Sequence, residues 1–498
     1  MSPLAADELG ALTEAALDAA SGCQAAEIRV ERVRSQMLRL HDAQPETKAD
    51  GTDFGMGVRV IDDGAVGFAA SVDVRPEEAA GLVRQAREMA RVTSHAGGGR
   101  VELAPEPAHR EVQWSSAFVV DPTSVPMADK IALLAEWSRR LDEREVVAHT
   151  SASLLTVSEE TYLADLNGTR ATQQRVRLQC QLEALALSES GFETMRTIAP
   201  PVGRGWEYLT GAVADGNWDW DAEIDRIPEL LAEKLGARSV EAGTYDLVVD
   251  PSNLWLTIHE SIGHATELDR AVGYEAAYAG TSFATFDKLN NLRYGSPVMH
   301  VTGDRTVKHG LATVGIDDEG VAAQSFDLVR DGILVGYQLD RAIAAAMGFV
   351  RSNGCAFADS PMHVPIQRMA NVSLAHSGQN GPSTEDLIGG VDRGIYVVGD
   401  KSWSIDMQRY NFQFTGQRFY RIENGKLAGQ LKDVAYQATT TDFWGAMEAV
   451  GGASTWVLGG AFNCGKGQPG QIAPVSHGCP SVLVRGVNIL NARAEAGR

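Results

Sequence analysis

The sequence predicts an α+β fold: an N-terminal α+β domain over residues 1–235 and a mainly β C-terminal domain over 236–498 that carries one helix of special interest. Three observations lead there. Segments of helical and of two-residue hydrophobic period mix along the first part of the chain. From Tyr245 onward, short apolar strands punctuated by turn residues take over. And 498 residues are more than one hydrophobic core usually organises.

Leu and Ala at helical spacing predict a first helix over residues 5–20. IRVERVRSQMLRL (28–40) reads as a strand with imperfect alternation. FGMGVRVIDDGAVGFAAS (54–71) reads as two strands around Asp62-Asp63-Gly64, a strong hairpin turn. Amphipathic helices are expected at 76–93 and 128–142, and strands near 145–157 and 173–187 joined through Asn167-Gly168-Thr169. The stretch 188–243 is less periodic, with a helix near 219–236; the domain boundary is placed there. YDLVVD (245–250) is a short apolar strand, and Asp250-Pro251 supplies an N-cap and a first helical residue. Leu254, Ile258, Ile262 and Ala265 then form one apolar stripe, so this helix is expected to pack on a sheet. The segments ATVGIDDEG, DLVRDGILVGYQLD, GIYVVGD, NFQFTGQRFYRIENGKLAG and SVLVRGVNIL read as strands of a sandwich or barrel. Ser383 with Asp386 predicts a capping box.

Composition removes several function classes. A net charge of −21 without a long basic cluster argues against nucleic acid or an anionic membrane surface as partner. No apolar run reaches the length of a transmembrane helix, and the N-terminus lacks a signal-peptide pattern. Five scattered cysteines suit a reducing compartment, so a cytoplasmic location is expected.

Two stretches could carry chemistry. HESIGH (259–264) sets His259 and His264 five residues apart, one more than in the H-E-x-x-H metal motif. On a regular helix such residues point about 140° apart. A π-bulge would bring them to one face, and Gly263 is the residue that best tolerates it. Spacing alone leaves open whether they share an ion or only lie near each other, and zinc would need a third ligand. GGAFNCGKGQPGQ (459–471) is a near miss of a P-loop, but Gly467 stands where Ser or Thr should hold magnesium, so nucleotide binding is rejected. Read as a glycine-rich loop, it presents Cys464, whose thiolate would suit zinc. Glu267 could accept from the His264 ring or serve as a substitute ligand. Asp269 reads as a solvated charge, and His477 as a surface loop residue. No G-x-S-x-G elbow is present to mark a serine triad.

HESIGHATELD (259–269), GIDDEG (315–320), DGILVGYQLDR (331–341), RMANV (368–372), GIYV (394–397) and CGKGQP (464–469), in that order, resemble the TldD/PmbA family, and more specifically its TldD-type, metal-bearing branch. GMGVRVIDDGAVGFAA (55–70) extends the likeness into the N-terminal part. The resemblance implies a zinc (Zn2+) metallopeptidase of modest sequence specificity acting on unfolded or flexible peptides. It implies His259, His264 and Cys464 as metal ligands and Glu260 as the catalytic general base. It also implies a related TldE/PmbA-type subunit as heterodimer partner, with a homodimer as the alternative. The chain departs from the family in carrying His477 and Cys479 where small residues precede a later proline. Two other roles fit the same residues: a non-catalytic scaffold subunit of a heteromeric protease, or a metal-dependent amidase for a small molecule or modified peptide. Substrate is expected to bind extended, as a strand added to a sheet edge.

Overall fold

The computed structural model describes residues 3–96, 100–188 and 191–496. It is a mixed α+β fold with an N-terminal part and a mainly β C-terminal part. In the N-terminal part, strands order as Ala65–Ser71, Gln44–Asp62, Ala25–His41, His149–Asp165, Arg170–Ser188 and Val112–Ser115, and Gly191–Arg196 pairs with Arg170–Ser188. The Asp62–Ala65 pair is closed by a two-residue turn with Asp63 and Gly64 at φ 51° and 74°, as Asp-Gly demands. The Ala6–Ala19 and Pro76–His95 helices bury Leu9, Leu12, Leu82 and Val83 against Ile28, Val30, Met56 and Val58. Met127–Asp142 and Trp220–Leu235 cover a second core, where Trp137 stacks on Trp220 at 5.3 Å.

The C-terminal part is built on an eight-stranded sheet. Within it Arg393–Ile405 pairs with both Gly243–Val249 and Asn411–Glu423. The path Gly243–Val249, Val482–Asn491, Val434–Thr439, Asn411–Glu423 therefore returns to Arg393–Ile405 and closes into a ring. Closure removes the free edges of these strands. Phe412, Phe414 and Tyr436 fill the space beneath the helix Pro251–Ile258, which follows the first strand of the ring. Asp250 caps that helix by accepting from the Ser252 amide at 3.0 Å, and Ser383 with Asp386 forms the expected capping box.

One expected strand is absent. ATVGIDDEG forms only an isolated bridge between Ile316 and Ala322. Its amides are met by scattered backbone carbonyls, such as Arg305 O for Val314 and Ala356 O for Asp318, and by side chains, rather than by one strand ladder. Asp317 accepts from the amides of Glu319, Val321 and Ala356, and Gln173 Oε1 accepts from those of Gly315 and Ile316. Alternation in sequence cannot reveal this.

Candidate metal centre

The helix Pro251–Ile258 runs into a single π turn over His259–Gly263. The His264 amide donates to the His259 carbonyl, five residues back, which absorbs the extra residue of HESIGH. A distorted turn leaves carbonyls unpaired, and here each finds a side-chain donor. Tyr294 Oη donates to Ser261 O, Thr266 Oγ1 to Ile262 O at 2.8 Å, and Gln338 Nε2 to Gly263 O at 2.7 Å. Gly263 has ordinary helical φ of −52°, so backbone freedom is not its purpose. A Cβ there would lie 2.5 Å from Met369 Sδ; space is what it supplies.

The sequence expectation of a loop around Cys464 is corrected. Val457–Lys466 is a strand, paired antiparallel with Gln471–Cys479 and bulged between Ala461 and Cys464. The hairpin lies against the helix because Gly459 leaves room for Trp255, to which a Cβ would come within 2.7 Å. The bulge turns Cys464 inward, where it is buried.

His259, His264 and Cys464 thereby converge, with one ligand atom of each within 4.8 Å of the others. Cys464 Sγ lies 3.5 Å from His264 Nε2. Hydrogen bonds on the outer ring nitrogens set the tautomers. His477 Nδ1 donates to the Val372 carbonyl at 2.9 Å, which leaves its Nε2 as an acceptor for His259 Nδ1 at 2.7 Å. His264 Nδ1 donates to Glu267 Oε2 at 2.9 Å. Both imidazoles are left with an Nε2 lone pair for the centre. Burial holds the pKa values of His259, His264 and His477 below the ordinary histidine value, so all three favour the neutral form. Burial acts to raise the Cys464 pKa, but a proton on His264 Nε2, which a bound ion would replace, and the Arg368 charge outweigh it, and the net shift is downward, toward thiolate. Two neutral imidazoles and a thiolate are a donor set that fits zinc.

His477, read from sequence as a surface residue, is wholly buried and orients a candidate ligand. Trp255 stacks on it at 6.3 Å. Only the strand register, which sets His477 opposite Gly459, places it here. Asp269 is likewise not a solvated charge: it accepts from Lys466 Nζ at 2.8 Å. Lys466 also donates to Glu267 Oε1 at 3.2 Å and to Gln367 Oε1 at 2.7 Å. This confines the near-miss P-loop lysine to the protein interior. Burial would raise the Glu267 pKa, but Lys466, Arg270 and His264 hold it well below the usual carboxylate range, and both its oxygens are engaged.

Glu260 lies beside the centre, with Arg409 Nη1 donating to its Oε2 at 2.6 Å. Arg409 was not foreseen, and a partner 149 residues away leaves no local signal. His259, Glu260, His264, Arg409 and Cys464 line one cavity of about 440 Å³, walled on its far side by Gln179–Gln181 and Arg196–Pro201 of the N-terminal part. If His477 orients His259 as its hydrogen bonds indicate, His477→Ala is expected to weaken zinc affinity by about 10–100-fold. Competition with a chromogenic chelator measures this, and an unchanged affinity would show that the bond is dispensable.

Comparison with known proteins adds to this geometry. The family profile described as PmbA/TldA metallopeptidase C-terminal domain matches residues 242–491, and that described as PmbA/TldA metallopeptidase domain 1 matches residues 26–90. A metalloprotease of Methanocaldococcus jannaschii is 25% identical over 461 residues, covering 91% of this chain and 94% of that protein. A metalloprotease TldD homolog of Buchnera aphidicola is 26% identical over 448 residues, covering 88% of this chain and 86% of that protein. The crystal structure of TldE from Thermococcus kodakarensis shares the fold, with a TM-score of 0.73 at 17% identity, over 96% of this chain and 99% of that one. With half the chain matched by one profile and a second matched near its N-terminus, the chain belongs to the TldD/PmbA metallopeptidase family.

Proposed function

We propose that this protein is a zinc-dependent peptidase of the TldD type that hydrolyses unfolded or flexible peptides. The observation that carries the reading is the convergence of His259, His264 and Cys464 at the base of a cavity that also exposes Glu260. His259, His264 and Cys464 would hold zinc, which when bound would supply Lewis-acid chemistry to the scissile carbonyl and the attacking water. Glu260 is the general base: it takes the proton of the attacking water and returns it to the departing amine. Arg409 fixes the orientation of that carboxylate.

The substrate would bind extended. The strand Val457–Lys466 pairs on one side with Gln471–Cys479, and its residues from Gly459 to Gly465 line the cavity, so backbone groups are presented along the floor. Main-chain pairing carries little side-chain information, which would give broad specificity. A related TldE/PmbA-type subunit is the partner this reading favours, with a second copy of the chain as the alternative; the shared fold of the Thermococcus protein supports it. The division into domains at residues 235 and 236 belongs to the same reading, supported by Arg238–Ser239 pairing with Lys426–Lys432. All five cysteines are free thiols, which suits the cytoplasm. Among the described residues no helix is long and apolar enough to cross a membrane.

The test is hydrolysis of an unfolded peptide by the zinc-loaded chain, alone and mixed with a TldE-type subunit. Chelation should abolish turnover and added zinc restore it. Side-chain changes in the peptide should matter little, whereas backbone N-methylation should block cleavage. Turnover that survives chelation, or zinc-loaded protein inert in both settings, would sink the proposal.

A further inference from the structure

Two histidines and an aspartate that the proposed chemistry does not use meet at one corner of the N-terminal sheet. A two-residue turn joins the strands Ala25–His41 and Gln44–Asp62, with Asp42 and Ala43 at φ 47° and 60°. Its tip is bound to the neighbouring strand His149–Asp165. The Asp42 amide donates to the Thr150 carbonyl at 3.0 Å, and the Thr150 amide donates to Asp42 Oδ1 at 2.9 Å. His41 pairs with Ser151, and His149 stands two residues before Ser151, so both imidazoles project from one face of the sheet. Their rings stack with centroids 5.5 Å apart.

The three side chains share one focus. Asp42 Oδ2 lies 2.9 Å from His149 Nδ1 and 3.4 Å from His41 Nε2, and one ligand atom of each residue lies within 4.8 Å of the others. An ordinary ion pair needs one histidine; here two ring nitrogens address one oxygen. Nitrogen and oxygen ligands sit about 2.0–2.2 Å from zinc, which spaces neighbouring ligands about 3–3.5 Å apart. Both contacts of Asp42 Oδ2 match that spacing. The outer nitrogens, His41 Nδ1 and His149 Nε2, are left to carry the ring protons. Charge favours a cation too. Burial would raise the Asp42 pKa, but its bonds from Thr150 and His149 outweigh that and keep it low. Asp142, which ends the helix Met127–Asp142, acts on Asp42 and both histidines through space, and burial together with the Asp42 charge pushes its own pKa up. Imidazole ligands select zinc, copper or nickel over magnesium and calcium.

We propose that His41, Asp42 and His149 form a second metal site, which takes one divalent transition cation of the zinc class. The ion takes the place of the proton between His149 Nδ1 and Asp42 Oδ2. Its remaining positions face solvent, because each of the three side chains is about half exposed. The role follows from position: the ion fastens the hairpin tip to the first residue of the strand His149–Asp165.

Two measurements on the full chain decide it. Anomalous diffraction from zinc-soaked crystals should show a peak about 2.0–2.2 Å from His41 Nε2, Asp42 Oδ2 and His149 Nδ1. Equilibrium dialysis against zinc, with magnesium in excess, should find one more ion per chain in the wild type than in Asp42→Asn or His149→Gln. Asparagine tolerates the positive φ of the turn and still accepts from the Thr150 amide, so it removes only the anionic ligand. Loss of a ligand should weaken this ion by more than the roughly 10–100-fold that loss of an outer hydrogen bond costs. Should a variant not fold, the diffraction experiment on the unaltered protein still decides. Equal zinc stoichiometry in the three proteins, no anomalous peak at this corner, or binding only at millimolar zinc, the mark of an adventitious surface ion, overturns the proposal.

Discussion

Glu260→Gln is expected to lower kcat for peptide hydrolysis by about 10²–10⁴-fold, the usual contribution of a general acid–base group, while zinc content stays at the wild-type level. The substitution is chosen for what it keeps. Arg409 Nη1 donates to Glu260 Oε2 at 2.6 Å, and the glutamine amide oxygen can accept the same bond in the same volume. The fold around the π turn and the ligand set are therefore left alone, and only the proton acceptor is lost. Turnover and bound metal measured on one sample check this. Retained turnover would remove Glu260 from the chemistry, and simultaneous loss of zinc would make it a structural residue.

The second large effect is expected from Cys464→Ser, which should abolish stoichiometric zinc binding and activity together. A serine hydroxyl is a poor ligand at neutral pH, whereas the Cys464 thiol is shifted toward thiolate, against the effect of burial, by a proton on His264 Nε2, which a bound ion would replace, and by Arg368. The loss of affinity should exceed the roughly 10–100-fold expected when an outer hydrogen bond such as that of His477 is removed. That ordering is the useful part of the measurement. Should Cys464→Ser keep full zinc and full turnover, the ligand assignment falls, whatever His477→Ala does.

Much of the architecture was legible because local rules governed it. Asp62-Asp63-Gly64 could only be a tight hairpin, and residues 76–93 and 128–142 became helices because their apolar stripes had a sheet to cover. The failures have a common cause. ATVGIDDEG alternates like a strand, yet its amides are divided among scattered backbone carbonyls and the side chains of Asp317 and Gln173, the latter some 140 residues away, which no periodicity reports. GGAFNCGKGQPGQ has the glycine content of a loop, yet Gly459 serves the close approach of Trp255, residues 459–466 belong to a bulged strand and only 467–470 turn.

By itself the sequence determined the chemistry available to this protein: a His-Glu pair with a second histidine five residues after the first, which a helix that bulges or ends between them can bring to one ion, and a cysteine with the softness zinc prefers. It also determined the family, through ordered motifs spread over the chain. Only the tertiary structure decided which groups complete the centre. His477 reaches His259, Arg409 reaches Glu260, and Lys466 is sequestered by Glu267 and Asp269, across separations of 149 to 218 residues. The reason is physical. Each of these groups is buried and polar, and its position is fixed by a partner supplied by strand register and packing, so nothing in its own neighbourhood along the chain marks it.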